Sequence, residues 1–329
     1  ANITDNDAVN AALSVTTHGN ETGPIDIVYT VTLSNQNDTG SPITFDIDDD
    51  LTGSATSGDD YTAIAGAATI TVADGATTGT LTVLVTNDTD FEADTETIDA
   101  TISNASNTDV TITTASATAN ITDNDAVNAA LSVTTHGNET GPIDIVYTVT
   151  LSNQNDTGSP ITFDIDDDLT GSATSGDDYT AIAGAATITV ADGATTGTLT
   201  VLVTNDTDFE ADTETVDATI SNASNTDVTI TTASATANIT DNDAVNADLS
   251  VTTHGNETGP IDIIYTVTLS NQNDTGSPIT FDIDDDLTGS ATSGDDYTAI
   301  AGAATITVAD GATTGTLTVL VTDDTDFEA

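Results

Sequence analysis

The chain is 329 residues long, with 55 Asp and Glu, no Lys, no Arg and a formal net charge of −55. A chain so charged repels itself and compacts only if cations come from outside, and with no Lys or Arg to meet phosphate it is excluded from binding nucleic acid or anionic membrane surfaces. Cysteine is absent, so no disulfide can staple the fold, and no apolar run approaches the ~20 residues of a membrane span, so direct membrane insertion is not expected.

Disorder is the other outcome that strong acidity allows. Against it stand a hydrophobic share of 36% and a clean internal repeat. ANITDNDAVNA opens at Ala1 and returns at Ala119 and, as ANITDNDAVNA again, at Ala237, a period of 118 residues. The first two copies differ at Ile98 and Val216; the third differs again at Asp248, Ile264 and Asp323. A unit of this size is one domain, not a short solenoid repeat. The expected division is 1–7 as the end of a preceding repeat, then 8–125, 126–243 and a C-terminally truncated 244–329. The absence of methionine makes the chain read as an internal piece of something longer.

Within one copy, alternation with period two dominates. Leu13 and Val15 open the first strand. Ile25, Ile27, Tyr29, Val31 and Leu33 are expected to face inward in the next, followed by Ile43, Phe45 and Ile47. Ile70 with Val72, then Leu81, Val83 and Val85, then Ile98, Ala100 and Ile102 continue the pattern, and Val110 to Ile121 reads as one last, long strand. Gly, Asn, Asp and Pro fill the gaps. No segment has helical periodicity. The expectation is an all-β chain of tandem immunoglobulin-like antiparallel sandwiches with about seven strands each.

The acids gather between these strands, at Asp59–Asp60, Asp88–Glu92 and Asp123–Asp125, with Glu21 and Asp48–Asp50 beside them. Carboxylates converging at one end of a sandwich repel unless a cation sits between them, and an all-oxygen set suits Ca²⁺. The plainer reading is turn chemistry and solubility. It is the better one for Asp48–Asp50, a strand end, and for His18, His136 and His254 in their Thr-His-Gly-Asn turns.

The run GDDYTAIAGAATITVADGATTGTLTVLVTNDTDFEADTETIDATISNAS, followed by ATANITDND, resembles the Calx-β domain, a module of sodium/calcium exchangers and of large bacterial surface adhesins. The resemblance rests on Asp60–Tyr61, on the segment from Asn87 to Glu92 leading to Asp94 and Glu96, and on Asp123-Asn124-Asp125. It implies a Ca²⁺ cluster held by Glu21, Asp60, Asp88, Glu92, Asp123 and Asp125, with the Asp90 backbone carbonyl and the amide of Asn87. The second copy would use Glu139, Asp178, Asn205, Asp206, Asp208, Glu210, Asp241 and Asp243. The third would use Glu257, Asp296, Asp323, Asp324, Asp326 and Glu328.

No nucleophile is paired with a base and no phosphate-binding glycine loop is present, so no enzyme activity is expected. The leading expectation is an extender in a bacterial extracellular or cell-surface adhesin, its neighbours further copies of the same domain, its joints stiffened by Ca²⁺. Self-association into a filament, fibre or sheath is the alternative, and a Ca²⁺ sensor the third reading.

Overall fold

The structure is a computed structural model, and it describes residues 8–323. The preceding segment 1–7 and the candidate ligands Asp324, Asp326 and Glu328 lie outside the described residues. All named elements are strands.

The first repeat runs β1 (Val9–Thr17), β2 (Gly19–Asn20), β3 (Ile27–Leu33), β4 (Ile43–Asp49), β5 (Thr69–Val72), β6 (Thr78–Val83), β7 (Glu96–Ser103), β8 (Val110–Thr114) and β9 (Ser116–Thr122). Two sheets form, ordered β6-β3-β1-β8 and β2-β9-β7-β4-β5. Their facing sides are the inward positions of the alternation: Leu13, Tyr29, Val31, Phe45, Ile47, Ile98 and Ile102 are all at most 2% exposed. The Tyr29 hydroxyl donates to the Ile98 carbonyl at 3.0 Å, satisfying the phenol within the core.

Two expectations need correction. Ile25 is not inward; it is 49% exposed, in a turn where Asn20 and Ile25 exchange backbone hydrogen bonds before β3 begins. The stretch from Val110 to Ile121 is not one strand. β8 pairs parallel with β1, whereas β9 pairs antiparallel with β7, so the chain changes sheets at Ala115. The Ala115 carbonyl accepts the Ile102 N–H at 2.8 Å at the change. Splitting that strand, and adding the two-residue β2, raises the expected seven strands to nine.

The sheets close where β5 and β6 meet. Gly79 on β6 has no side chain because a Cβ there would lie 2.2 Å from the Thr71 backbone oxygen. Gly79→Ala is expected to lower the stability of its repeat by about 3 kcal/mol, seen as an earlier step in thermal unfolding. Gly66→Ala, with nothing within 4 Å of the new methyl group, should leave the curve where it is.

The second repeat repeats this plan with β10 (Val127–Thr135), β11 (Gly137–Asn138), β12 (Ile145–Leu151), β13 (Ile161–Asp167), β14 (Thr187–Val190), β15 (Thr196–Val201), β16 (Glu214–Ser221), β17 (Val228–Thr232) and β18 (Ser234–Thr240). The third has β19 (Ala247–Thr253), β20 (Ile263–Leu269), β21 (Ile279–Ile283), β22 (Ala304–Val308) and β23 (Thr314–Val319). Among the described residues its sheets hold three and two strands. Leu249 is 58% exposed where Leu131 is 3% exposed.

Candidate metal centre

Glu21 follows β2, whose two residues pair in parallel with Ile121 and Thr122 at the end of β9. The Glu21 N–H extends that pairing by donating to the Thr122 carbonyl at 3.1 Å. β9 then runs into Asp123–Asp125. Glu96 opens β7, which is antiparallel to β9, so its side chain starts at the end of the sandwich where β9 finishes. The 84–95 loop between β6 and β7 brings Asp88 and Glu92 there. The Thr56 N–H turns the Asp60 carboxylate into the same place.

These placements give three linked carboxylate groups in the first repeat: Glu21 with Asp88 and Glu92, Glu21 with Asp123 and Asp125, and Asp60 with Glu92 and Glu96. Within each group one oxygen per residue lies within 4.8 Å of the others. Glu21 and Glu92 each belong to two groups, so the set is continuous. In the second repeat Glu139 meets Asp206 and Asp243, and Asp178 meets Glu210 and Glu214.

Several of the expected residues also make hydrogen bonds around these groups. Asp90 is exposed, and its N–H caps the Asp88 carboxylate at 2.9 Å; Asp208 does the same at Asp206. Asp123 bonds the Glu92 and Asp125 N–H groups at 3.4 and 3.0 Å, and Asp241 accepts from the Asp243 N–H at 2.9 Å. Asn87 and Asn124 engage each other, Asn124 Nδ2 donating to Asn87 Oδ1 at 2.9 Å, and Asn205 takes the same bond from Asn242 at 2.8 Å. In the third repeat Asp296 is 7% exposed, but Glu257 and Asp323 are exposed and no group of three acids forms there among the described residues. Glu96 and Glu214, buried at 8% and 7% exposure, were missing from the ligand set drawn from the resemblance.

The electrostatics are severe. Glu21 is 1% exposed and its Oε2 has no hydrogen-bond partner; Asp60 Oδ1 and Asp125 Oδ2 are buried and unpartnered too. The same three oxygens are orphaned in the second repeat, on Glu139, Asp178 and Asp243. Leaving a buried carboxylate oxygen unpaired is costly, and the chain has no Lys or Arg to answer it. Burial, with the charges of Asp88 and Asp123 next, pushes Glu21 up to about 8. Burial and the Asp60 charge push Glu92 up to about 7. Burial and the hydrogen bond with Asp60 raise Glu96. Glu139 and Glu210 rise to about 7 and about 8, burial again leading, followed by the charges of Asp206 and Asp178 respectively. Orphaned, converging, oxygen-only donors with no base nearby fit a hard divalent cation, which takes about six to eight such oxygens when it is Ca²⁺.

The outer arrangement is structural instead. Asp49 accepts the Tyr61 hydroxyl at 2.5 Å and Asp50 accepts Thr101 at 2.6 Å, as suits a strand end. His18 accepts the Asn120 N–H through Nδ1 at 3.0 Å, tying its turn to β9.

A family model described as the Calx-beta domain matches residues 5–125, 133–243 and 253–329. No curated protein matches the sequence. Among solved structures, the chain is similar to CBD12 from CALX1.2, with a TM-score of 0.29 and 12% identity over 71% of this chain and all of that one. It is similar to the calcium binding domain CBD12 of CALX1.1, with a TM-score of 0.29 and 13% identity over 64% of this chain and 80% of that one. A third likeness is to Escherichia coli alpha-2-macroglobulin activated by porcine elastase, with a TM-score of 0.19 and 11% identity over 96% of this chain and 30% of that one.

Proposed function

The chain belongs to the Calx-β domain family, in three tandem copies, and on that premise we propose that it is a Ca²⁺-binding structural repeat that extends and stiffens a long extracellular surface protein. The observation that carries this reading is the set of orphaned buried carboxylate oxygens on Glu21, Asp60 and Asp125 and on their counterparts Glu139, Asp178 and Asp243. They converge at one end of each sandwich, and the chain has no Lys or Arg to meet them. Ca²⁺ there draws together Glu21 beside β2, the loop carrying Asp88 and Glu92, and the segment that leaves β9.

The last of these is also the connection to the next repeat. β9 ends at Thr122 and β10 starts at Val127. Fixing Asp123 and Asp125 therefore limits the only covalent joint, with no Gly- or Pro-rich linker to absorb bending. Sites of the extracellular class, with dissociation constants of about 10⁻⁴ to 10⁻³ M, stay empty in cytosol and fill outside the cell. Stiffening would then follow export. A bacterial cell surface is the setting this suits, and a catalytic role has no support in the donor set.

A second reading, lateral association into a fibre, has one observation in its favour. Strands β1, β3, β6 and β8 form a sheet without a single acidic residue, in a chain with 55 of them. Small-angle scattering on the full chain separates the two. With millimolar Ca²⁺, a monomeric mass and a longer, narrower distance distribution than in EDTA are expected. A mass that grows with Ca²⁺ favours the fibre, and identical profiles with and without Ca²⁺ refute the stiffened extender.

A further inference from the structure

The loop that carries Asp88 and Glu92 also leaves its own repeat. It is extended around Phe91, and in extended chain successive side chains point to opposite sides. Asp88 and Glu92 point into the carboxylate groups, while the Phe91 side chain and the Thr89 carbonyl address the second repeat. Phe91 is 1% exposed and packs within the core cluster of residues 127–239, not that of the first repeat. It forms a parallel bridge with Asn155. Its carbonyl accepts the Asp156 N–H at 3.0 Å, and the Thr89 carbonyl accepts Asn153 Nδ2 at 2.6 Å.

The second joint repeats these hydrogen bonds, with Phe209 only half-buried. Phe209 bridges Asn273, its carbonyl accepts the Asp274 N–H at 3.0 Å, and the Thr207 carbonyl accepts Asn271 Nδ2 at 2.5 Å. The receiving loop is preformed. Asn155 is fully buried, with Nδ2 bonded to the Ser159 and Val190 carbonyls at 2.9 and 3.3 Å. Asn37 makes the corresponding bonds, at 2.9 and 3.1 Å, although no preceding loop is described against it. Beside the plug, Val127 is 1% and Val228 9% exposed.

From this we propose that the acidic loop is a one-way latch, completing the core of the following repeat, so that metal bound at one repeat stabilises the fold of the next. The latch itself rests on geometry; its control by metal rests on the calcium reading above. Without a cation nothing ties Asp88 and Glu92 to Glu21 and Asp123, and Phe91 is then held only by the receiving side. With the cation, Glu92 is fixed and Phe91, its neighbour, is presented in place. The direction is set by the chain: the loop of the first repeat serves the core after it, not its own.

The natural differences between copies make this testable in the full chain. Hydrogen exchange read by mass spectrometry distinguishes β7, which contains Ile98, from β16, which contains Val216. In saturating Ca²⁺, Phe91→Ala should speed exchange in β16 by about tenfold or more and leave β7 unchanged. Asn153→Ala, which keeps the phenylalanine and removes one bond from the receiving side, should act in the same direction by a smaller factor. Faster exchange confined to β7, or no change in either strand for both variants, overturns the latch. Asp88→Asn should loosen β16 as well as β7, and a β16 left at its wild-type rate overturns the coupling to metal. If Ca²⁺ alters neither strand while Phe91→Ala still exposes β16, the latch stands and the calcium reading falls.

Discussion

Adding Ca²⁺ to the metal-free chain should raise its unfolding temperature by about 10 °C or more. A ligand that binds only the native state, at a hundred times its dissociation constant, contributes about 2.7 kcal/mol per site. One kcal/mol moves the midpoint of a domain near this size by about 4 °C. Each complete repeat presents carboxylate groups of this kind, so one ion per repeat suffices for the shift. Mg²⁺ should do much less, because it dehydrates reluctantly and demands a tighter octahedral geometry than these loops offer. The sharpest variant is Glu21→Gln combined with Glu139→Gln. Glu21 belongs to two carboxylate groups and Glu139 is its counterpart. The pair of substitutions should abolish most of the Ca²⁺-induced rise and yet increase the melting temperature in EDTA, because a buried acid among like charges has been made neutral. The two opposite signs are what turn chemistry alone does not produce. A calorimetric midpoint that stays put up to about 10 mM Ca²⁺, well above the affinities expected of extracellular modules, would remove the metal from the account.

Much of this was legible in the sequence because period-two alternation and loop placement are local. Tyr29, Phe45 and Ile98 are inward as the alternation requires, and the acids meet at one end because the segments carrying them all lie at that end of the sandwich. The misses have physical causes. The run from Val110 to Ile121 changes parity: its apolar residues fall at even positions at Val110 and Ile112 and at odd ones from Ala115 to Ile121, so the polar pair Thr113-Thr114 already marks the change of sheet that the pairing partners, β1 for one half and β7 for the other, make explicit. Ile25 has the parity of an inward residue but lies in a turn, ahead of the ladder that would give parity a meaning. The missing member, Glu96, was readable: it shares parity with Ile98, Ala100 and Ile102, and an acid at an inward position of a strand end is a buried acid. Asn87 and Asn124 stand where acids could, but whether two amides face a cation or each other depends on distances across 37 residues that the sequence does not contain. Phe91 was hardest. Its alternation says which way it points relative to Glu92, but the core that receives it belongs to another repeat, and no local pattern names a partner across a domain boundary.

The metal-free chain should be most stable under mildly acidic conditions and weaken as pH rises, the reverse of ordinary acid denaturation. Glu21 and Glu210 are raised from 4.5 to about 8, Glu92 and Glu139 to about 7, with burial the leading cause for all four. A carboxyl raised in the folded state holds its proton there and has lost it in the unfolded chain. Its contribution is therefore fully present below pH 4.5 and disappears as pH climbs through 7 to 8. Asp99 and Asp217 work the other way. Hydrogen bonds from Thr118 and Thr236 lower them below 3.8, so their smaller, surface contribution is lost only under stronger acid. The optimum in EDTA should accordingly lie near pH 4–5, with a fall of about 10 °C by pH 8.5 after solvent screening is allowed for. Ca²⁺ must displace the protons held by Glu21 and Glu92, so the melting curves with and without it should converge near pH 5 and separate steadily above pH 7. Calorimetric titrations in buffers of different ionisation enthalpy should show proton release on binding at pH 7, diminishing by pH 9 as the glutamates ionise unaided. A metal-free melting temperature that rises between pH 5 and 8 would mean that these carboxyls are ionised and solvated in the folded chain, and the buried cluster at the end of each sandwich would have to open to water.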